Sequence, residues 1–554
     1  MKSIAKYISL LILPITLLTL SCKSGDTTST AKTDENQQRP TSGSASDTAQ
    51  AEQRVTEGNA SALGQGKLAA SKPNIVFVLT DDQGMGDLAC MGNPHLKTPN
   101  IDSFHAKSSR FSDFHVSPTC SPTRAALMSG RHPLEVGVSH TVRYRERLAL
   151  DVVTFPQALQ QAGYQTGIFG KWHLGDEEAY LPQKRGFHEV LIHPAGGLCQ
   201  SQWGDFKANE AAKYFDNVLL HNDTIVQTKG FCTDLFFDAG LAWTKKQLDA
   251  KQPFFTYISL NAPHGPMYAP EKNIKRFTDQ GFEAKAAARY AMVENIDENF
   301  GKLMNHLEQW KALENTLVIF MTDNGMAMGS FKINGKKHEA HNAGMKGRKN
   351  SSDEGGTRVP SFWYWKGKTH EGIDIPALTR HLDLYRTFCE LTGATIPESP
   401  MPPRGRSLVP LLENPEQVSA NWPDRKLFVH RARWNDGRWS KSTREQEKYK
   451  GCAVRSQRWR LVHNTELYDI SADPGQKNNV AAQHPEVVKE MSTAYDTWWD
   501  TLTPYLQNED LPWVEPGEYH MQKRYRAQLK EKGIPDWAPD YSLIETAQKG
   551  AQAN

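Results

Sequence analysis

The sequence predicts an α/β protein in which a large mixed sheet is sandwiched by helices and followed by a smaller α+β domain. Three observations lead there. Continuous apolar runs of strand length recur at residues 75–79, 166–169, 254–260 and 317–321, and a run without polar alternation marks a strand covered on both faces. Helical spacing lies between the runs, most clearly where Tyr290, Val293, Ile296, Phe300, Leu303 and Leu307 follow at intervals of three and four. At 554 residues the chain also exceeds the roughly 250–300 residues at which a single core stops growing.

The chain opens on a targeting segment. Lys2 and Lys6 form a short basic region, residues 7–20 are mostly apolar, and Ser21-Cys22 follows at once. Leu18-Thr19-Leu20-Ser21-Cys22 resembles a bacterial lipoprotein signal with Cys22 acylated; ordinary signal cleavage is the alternative, because Thr19 stands where leucine is usual. From 23 to about 70 the chain is rich in Ser, Thr, Gly, Asp and Gln without one aromatic residue, so it cannot bury enough apolar surface to offset its conformational entropy. Residues 1–22 are therefore expected to be a signal, 23–72 a flexible linker and 73–424 the catalytic domain.

Texture changes near Pro423, and residues 425–554 are expected to form the smaller domain and a tail. Residues 451–463 and 465–470 read as two antiparallel strands. Residues 485–502 read as a helix with Val488, Met491, Tyr495, Trp498 and Trp499 on or near one face. The last fifty residues, with Trp513, Tyr519, Tyr525 and Trp537, show no clear periodicity and are expected to wrap the surface.

Net charge is +2, and no Lys/Arg run suggests a nucleic-acid footprint. No later apolar run approaches the ~18 residues of a membrane span. The expected location is the periplasm or cell envelope, by a lipid anchor or after secretion. Apart from Cys22 and Cys120, five cysteines remain, an odd number for which one or two bridges and some free buried thiols are expected.

Four segments carry the chemistry. Two buried strands end alike, in Thr80-Asp81-Asp82-Gln83-Gly84 and Thr322-Asp323-Asn324-Gly325. Strand ends of α/β sheets gather ligands, and three close carboxylates repel unless a cation lies between them. Oxygen donors without thiolate or imidazole favour calcium, or less so magnesium, over zinc, although such sequences also make simple turns. Cys120-Ser121-Pro122-Thr123-Arg124 starts a helix-forming stretch, which places Cys120 where backbone N–H groups favour negative oxygen. Gly170-Lys171-Trp172-His173 ends another strand with a cation and an imidazole.

Cys120-x-Pro-x-Arg124, continued by Leu-Met-Ser-Gly-Arg131, resembles the type I sulfatase signature, and residues 163–173 match the second signature of that family. Asn261-Ala262-Pro263-His264-Gly265-Pro266 and residues 346–360 also resemble sulfatase segments, and the likeness spans about residues 73–490. It implies an alkaline-phosphatase-like fold, calcium held by Asp81, Asp82, Asp323, Asn324 and the modified Cys120, and conversion of Cys120 to formylglycine by a formylglycine-generating or anaerobic sulfatase-maturating enzyme. It further implies that Arg124 fixes charge at the formylglycine hydrate, Lys171 stabilises the sulfate, His173 accepts a proton from the hydrate, and His264 lies beside the leaving oxygen, as general acid or sulfate ligand. By the same likeness Lys349 is expected to be the second sulfate-binding lysine; Lys346 is its rival, because Asn350 and Asp353 stand where glycine and an aromatic are common.

These readings converge on a sulfatase acting on sulfated carbohydrates or polysaccharides. The alternatives are an arylsulfatase of small substrates, a phosphate or phosphonate ester hydrolase of the same superfold, or an inactive glycan-binding lipoprotein. Arg143, Arg145 and Arg147 read as a solvated face, His338 and His341 as loop residues, and Trp498 and Trp499 as core.

Overall fold

A computed structural model describes residues 67–434 and 442–545. The expected leader, the acylation site at Cys22 and the linker up to residue 66 lie outside the described residues.

Ten strands form the main sheet, in the order Ile373–Ile375, Ser109–Phe111, Ser361–Tyr364, Thr316–Thr322, Asn74–Thr80, Phe254–Ser259, Gln165–Lys171, Glu189–His193, Val218–His221 and Thr224–Gln227. The four apolar runs of the sequence are thus consecutive neighbours at its centre. They pair in parallel, whereas Ser361–Tyr364 and the two strands of residues 218–227 run antiparallel, which makes the sheet mixed.

Both faces of the first strand are covered, which is why it lacks alternation. Ile75, Phe77 and Leu79 pack with Leu127, Phe155 and Phe388 on one side. Val76 and Val78 pack on the other with Phe236, Val293, Ile296 and Phe300, from the helices Cys232–Asp249 and Ala284–Gln309. Parallel pairing brings the C-terminal ends of the central strands to one edge, and the two acidic segments and the Lys171 segment start there, while Cys120 heads the helix Cys120–Ser129.

A second sheet is an antiparallel meander of Leu427–His430, Cys452–Arg455, Trp459–Val462 and Glu466–Asp469. Residues 451–463, expected as one strand, form two, because Ser456 turns the chain by accepting the Trp459 N–H on its hydroxyl. The helix Pro485–Asp500 covers this sheet, and Trp498 and Trp499 are buried in the core beneath it, as their spacing predicts.

Several expectations need correction. The tail does wrap the surface, yet it contains a helix, His520–Lys532; its buried face includes Gln522 and Gln528, so hydropathy hid the period. Gln528 bonds both backbone groups of Ile225, which closes the exposed edge of the main sheet. Lys67–Lys72, assigned to the linker, is docked through Ala70 and Lys72 N–H bonds to Glu390 and Leu391 carbonyls. The six described cysteines are all free thiols, and no bridge forms among the described residues. Arg145 and Arg147 are buried against Glu509 and Glu177 rather than solvated. His338 lies in a short hairpin strand, Lys336–Glu339, not a loop.

Candidate active site

The strand ends at Thr80 and Thr322 are register partners, so the residues after them meet. The Asp323 N–H donates to the Thr80 carbonyl at 3.0 Å, the Asp82 N–H to Asp323 Oδ1 at 3.2 Å, and Asn324 Nδ2 to Asp82 Oδ1 at 2.9 Å. Asp82 has a left-handed backbone, φ 67°, which aspartate tolerates better than most residues. Asp81, Asp82, Asp323 and Asn324 are all buried, one cluster as the paired strand ends suggest.

Three cations face these three carboxylates. Lys171 Nζ donates to Asp81 Oδ2 at 2.6 Å, Lys349 Nζ lies 2.6 Å from Asp82 Oδ1, and Arg124 Nη2 lies 2.9 Å from Asp323 Oδ2. Burial raises the Asp81 carboxyl against the pull of Lys171, and burial with the neighbouring Asp81 charge pushes Asp323 up to about 7. Burial also opposes ionisation of Asp82, but the Lys349 ammonium and the Asn324 amide prevail and hold it below the usual carboxylate range.

Asp81 Oδ1 and Asn324 Oδ1 are buried without a hydrogen-bond partner. Buried acceptors are rarely left so. Together with an all-oxygen donor set, these free lone pairs fit a hard divalent cation. A second carboxylate and histidine group, Asp113, His115 and Glu354, does not fit one. Arg455 already bonds Asp113 at 3.0 Å and Glu354 at 3.1 Å, and Arg460 bonds Glu354 at 2.6 Å.

Cys120 begins the helix Cys120–Ser129, whose every residue is buried. Four positions on, Arg124 spreads its guanidinium across three strand ends, donating to the Lys171 carbonyl at 3.2 Å, the Ser259 hydroxyl at 2.5 Å, the Leu260 carbonyl at 3.3 Å and Asp323. Burial opposes its charge, but Asp323 raises its pKa further. Cys120 thus heads the helix that Arg124 ties to Asp323.

His173, with φ 63°, is buried beyond the Lys171 strand end. Its Nε2 lies 2.7 Å from the Thr141 carbonyl. Since a carbonyl only accepts, Nε2 carries the proton and Nδ1, which has no partner, holds the lone pair. Burial, then Lys171, lowers its pKa well below the ordinary value, so the ring is neutral, with Nδ1 open to accept a proton. His264 Nδ1 donates to the Gly265 carbonyl at 2.6 Å, leaving Nε2 3.8 Å from Asp82. Burial and Lys349 lower this ring to about 3. Its Nε2 is an acceptor at rest, so it can act as an acid only after gaining a proton alongside a bound anion.

Lys346 turns away from the cluster. Its Nζ bonds Tyr468 Oη at 2.7 Å and Glu466 at 3.1 Å, so Lys349 alone of the two rivals joins the acidic corner. The C-terminal sheet holds the segment between Lys349 and Thr357: Arg460 donates to the Ser352 carbonyl and to Glu354, and Gln476 Oε1 accepts the Glu354 N–H. Ser259, the Thr141 carbonyl and Arg460 are partners that sequence reading missed. Each acts across a long chain separation, without a local signal.

Fold and cluster together define a hydrolase of the alkaline-phosphatase-like class, with oxygen donors, two lysines and two histidines at one sheet edge. The sulfatase family profile matches residues 73–394, and a profile described as N-sulphoglucosamine sulphohydrolase, C-terminal, matches residues 349–497. The chain belongs to the sulfatase family and is a sulfuric ester hydrolase. It is 31% identical to human arylsulfatase A over 472 residues, 77% of this chain and 88% of that one. It is also 31% identical over 385 residues to N-acetylgalactosamine-6-sulfatase of Canis lupus familiaris, 66% of this chain and 69% of that one. The crystal structure of Ps i-CgsB in complex with k-i-k-neocarrahexaose aligns with a TM-score of 0.67 and 27% identity, over 86% of this chain and 100% of that chain.

Proposed function

We propose that this sulfatase cleaves sulfate esters carried on carbohydrates, through formylglycine at position 120 beside a bound calcium ion. The observation that carries the reading is Arg124. One guanidinium joins the helix of Cys120 to Asp323, to the Lys171 strand and to Ser259, so nucleophile, cation donors and sulfate-gripping lysine form one rigid unit. The carbohydrate substrate is supported by the relatives, one named for a sulfated amino sugar and one crystallised with a carrageenan oligosaccharide.

Asp81, Asp82, Asp323 and Asn324 would hold the ion with the modified residue 120; when bound, it supplies positive charge that lowers the pKa of an adjacent hydroxyl. The hydrated aldehyde at position 120 supplies the hydroxyl that attacks sulfur. Lys171 and Lys349 hold the free sulfate oxygens and stabilise charge as the ester bond breaks. His264 lies beside the leaving oxygen. His173, through Nδ1, takes the proton from the second hydroxyl as sulfate departs and the aldehyde reforms.

A maturating enzyme that oxidises Cys120 is a required partner of this reading. Among the described residues no helix is long and apolar enough to cross a membrane; the basic and apolar start of the chain, residues 1–22, is what supports an exported enzyme held in the envelope through Cys22 or released. Intact-peptide mass spectrometry across residue 120 tests the central step. The aldehyde form is about 18 Da lighter than the thiol, by bond accounting for a covalent nucleophile, and Cys120→Ala should abolish turnover. An unmodified thiol in fully active protein overturns the mechanism.

A further inference from the structure

Arg143 differs from its two arginine neighbours. Arg145 and Arg147 are buried and paired with carboxylates, whereas Arg143 has no carboxylate within salt-bridge distance and a buried Nη1 without a hydrogen-bond partner among the described residues. It is instead flanked by indoles, its guanidinium carbon 4.7 Å from the Trp513 ring centroid and 5.8 Å from that of Trp203. Trp513 is 43% exposed. Arg143 and Tyr144 both have left-handed backbones, φ 61° and 69°. Such geometry is uncommon for residues with side chains and concentrates at ligand-binding segments.

This group belongs to the active-site rim. Arg143 follows Thr141, whose carbonyl orients His173, by two residues, a chain reach of ~7 Å. Trp203 lies on a loop that meets the site twice: Gln200 Nε2 donates to the carbonyl of Gly265, next to His264, at 3.0 Å, and Gly196 faces the His173 ring so closely that a Cβ would come within 2.7 Å of it. Trp513 comes from the C-terminal tail, so three remote segments meet at one cation.

A planar guanidinium with unused donors recognises a sulfate or carboxylate, and an exposed indole stacks on the apolar face of a sugar ring. We propose that Arg143, Trp203 and Trp513 form a subsite for a second, anionic sugar ring of the substrate, adjacent to the ring whose ester is cleaved. The ligand class is a sulfated or uronate-bearing oligosaccharide. The placement rests on the carbohydrate-sulfatase reading; the chemistry of the subsite does not.

The test is calorimetric binding to the Cys120→Ser protein of ι-carrageenan and chondroitin-6-sulfate hexasaccharides, their desulfated counterparts, and N-acetylgalactosamine 6-sulfate. At least one sulfated hexasaccharide should bind more tightly than its desulfated form. Arg143→Ala and, separately, Trp513→Ala at an exposed position should each weaken that binding about tenfold. Arg143→Lys should restore only part of it, and the monosaccharide should be affected less than about twofold. Equal losses for monosaccharide and hexasaccharide, or no preference for any sulfated hexasaccharide, overturn the subsite. If Arg143-dependent binding holds while the unsubstituted enzyme releases sulfate from none of these sugars, the subsite stands and the carbohydrate-sulfatase reading falls.

Discussion

Lys349 grips Asp82 with both carboxylate oxygens in reach, at 2.6 and 2.7 Å, although 267 positions separate them. Asp82 holds this buried ammonium well above the ordinary lysine range against the penalty of burial. Lys349→Ala is therefore expected to lower kcat/KM by about 10²–10³, the cost of one lost electrostatic donor. Lys346→Ala, which removes only a half-exposed contact to Tyr468 and Glu466, should cost less than about fivefold. Steady-state kinetics on a sulfate ester decides between them, and the reverse order would return the role to Lys346.

His173 has a defined lone pair at Nδ1 because Thr141 fixes the proton on Nε2. His173→Gln should lower kcat by about 10²–10⁴, with the aldehyde at residue 120 still present by mass. Loss of the aldehyde in that variant would mean that His173 serves maturation rather than turnover.

Calcium should stabilise the fold, since Asp81 Oδ1 and Asn324 Oδ1 gain partners. After chelation, calcium restored at a hundredfold excess over its Kd adds ~2.7 kcal/mol by mass action, visible as a rise in Tm. Asp81→Asn keeps the shape and removes one charge, so its shift should be much smaller. An equal shift in both proteins would place the ion elsewhere.

Glu354 anchors the segment behind Lys349. Burial opposes its charge, but Arg455, His115 and Arg460 depress its pKa from 4.5 to about 2. A carboxylate with a depressed folded pKa contributes stability that is complete above its unfolded pKa and is lost as pH falls through the folded one. Arg460→Met, which leaves Glu354 with one guanidinium, should cost ~3–5 kcal/mol at neutral pH in urea unfolding. The difference between the parent protein and Glu354→Gln should shrink between pH 4.5 and 2, and a difference that stays constant over that window would remove Glu354 from the network.

Much of this site was legible in the chain because strand ends and helix starts are local events. Thr80-Asp81-Asp82 and Thr322-Asp323-Asn324 announce themselves by an apolar run followed at once by acids, and parallel pairing brings them together. Trp498 and Trp499 read as core because helical spacing is also local. The tail helix His520–Lys532 was missed because it buries Gln522 and Gln528 against the sheet edge, where hydrogen bonding replaces apolar pattern. The arginines at 145 and 147 were misread for a related reason: a buried cation looks like an exposed one until its carboxylate partner is found.

By itself the sequence determined the central strands, the cysteine that heads the buried helix, the acidic strand ends and the likeness to sulfatases, all carried by residues close together in the chain. Tertiary structure alone decided that Lys349 rather than Lys346 faces Asp82, that Arg124 ties three strand ends together, and that Trp513 meets Arg143. Those contacts join residues far apart in sequence, whose distances are set by how layers pack and not by any pattern along the chain.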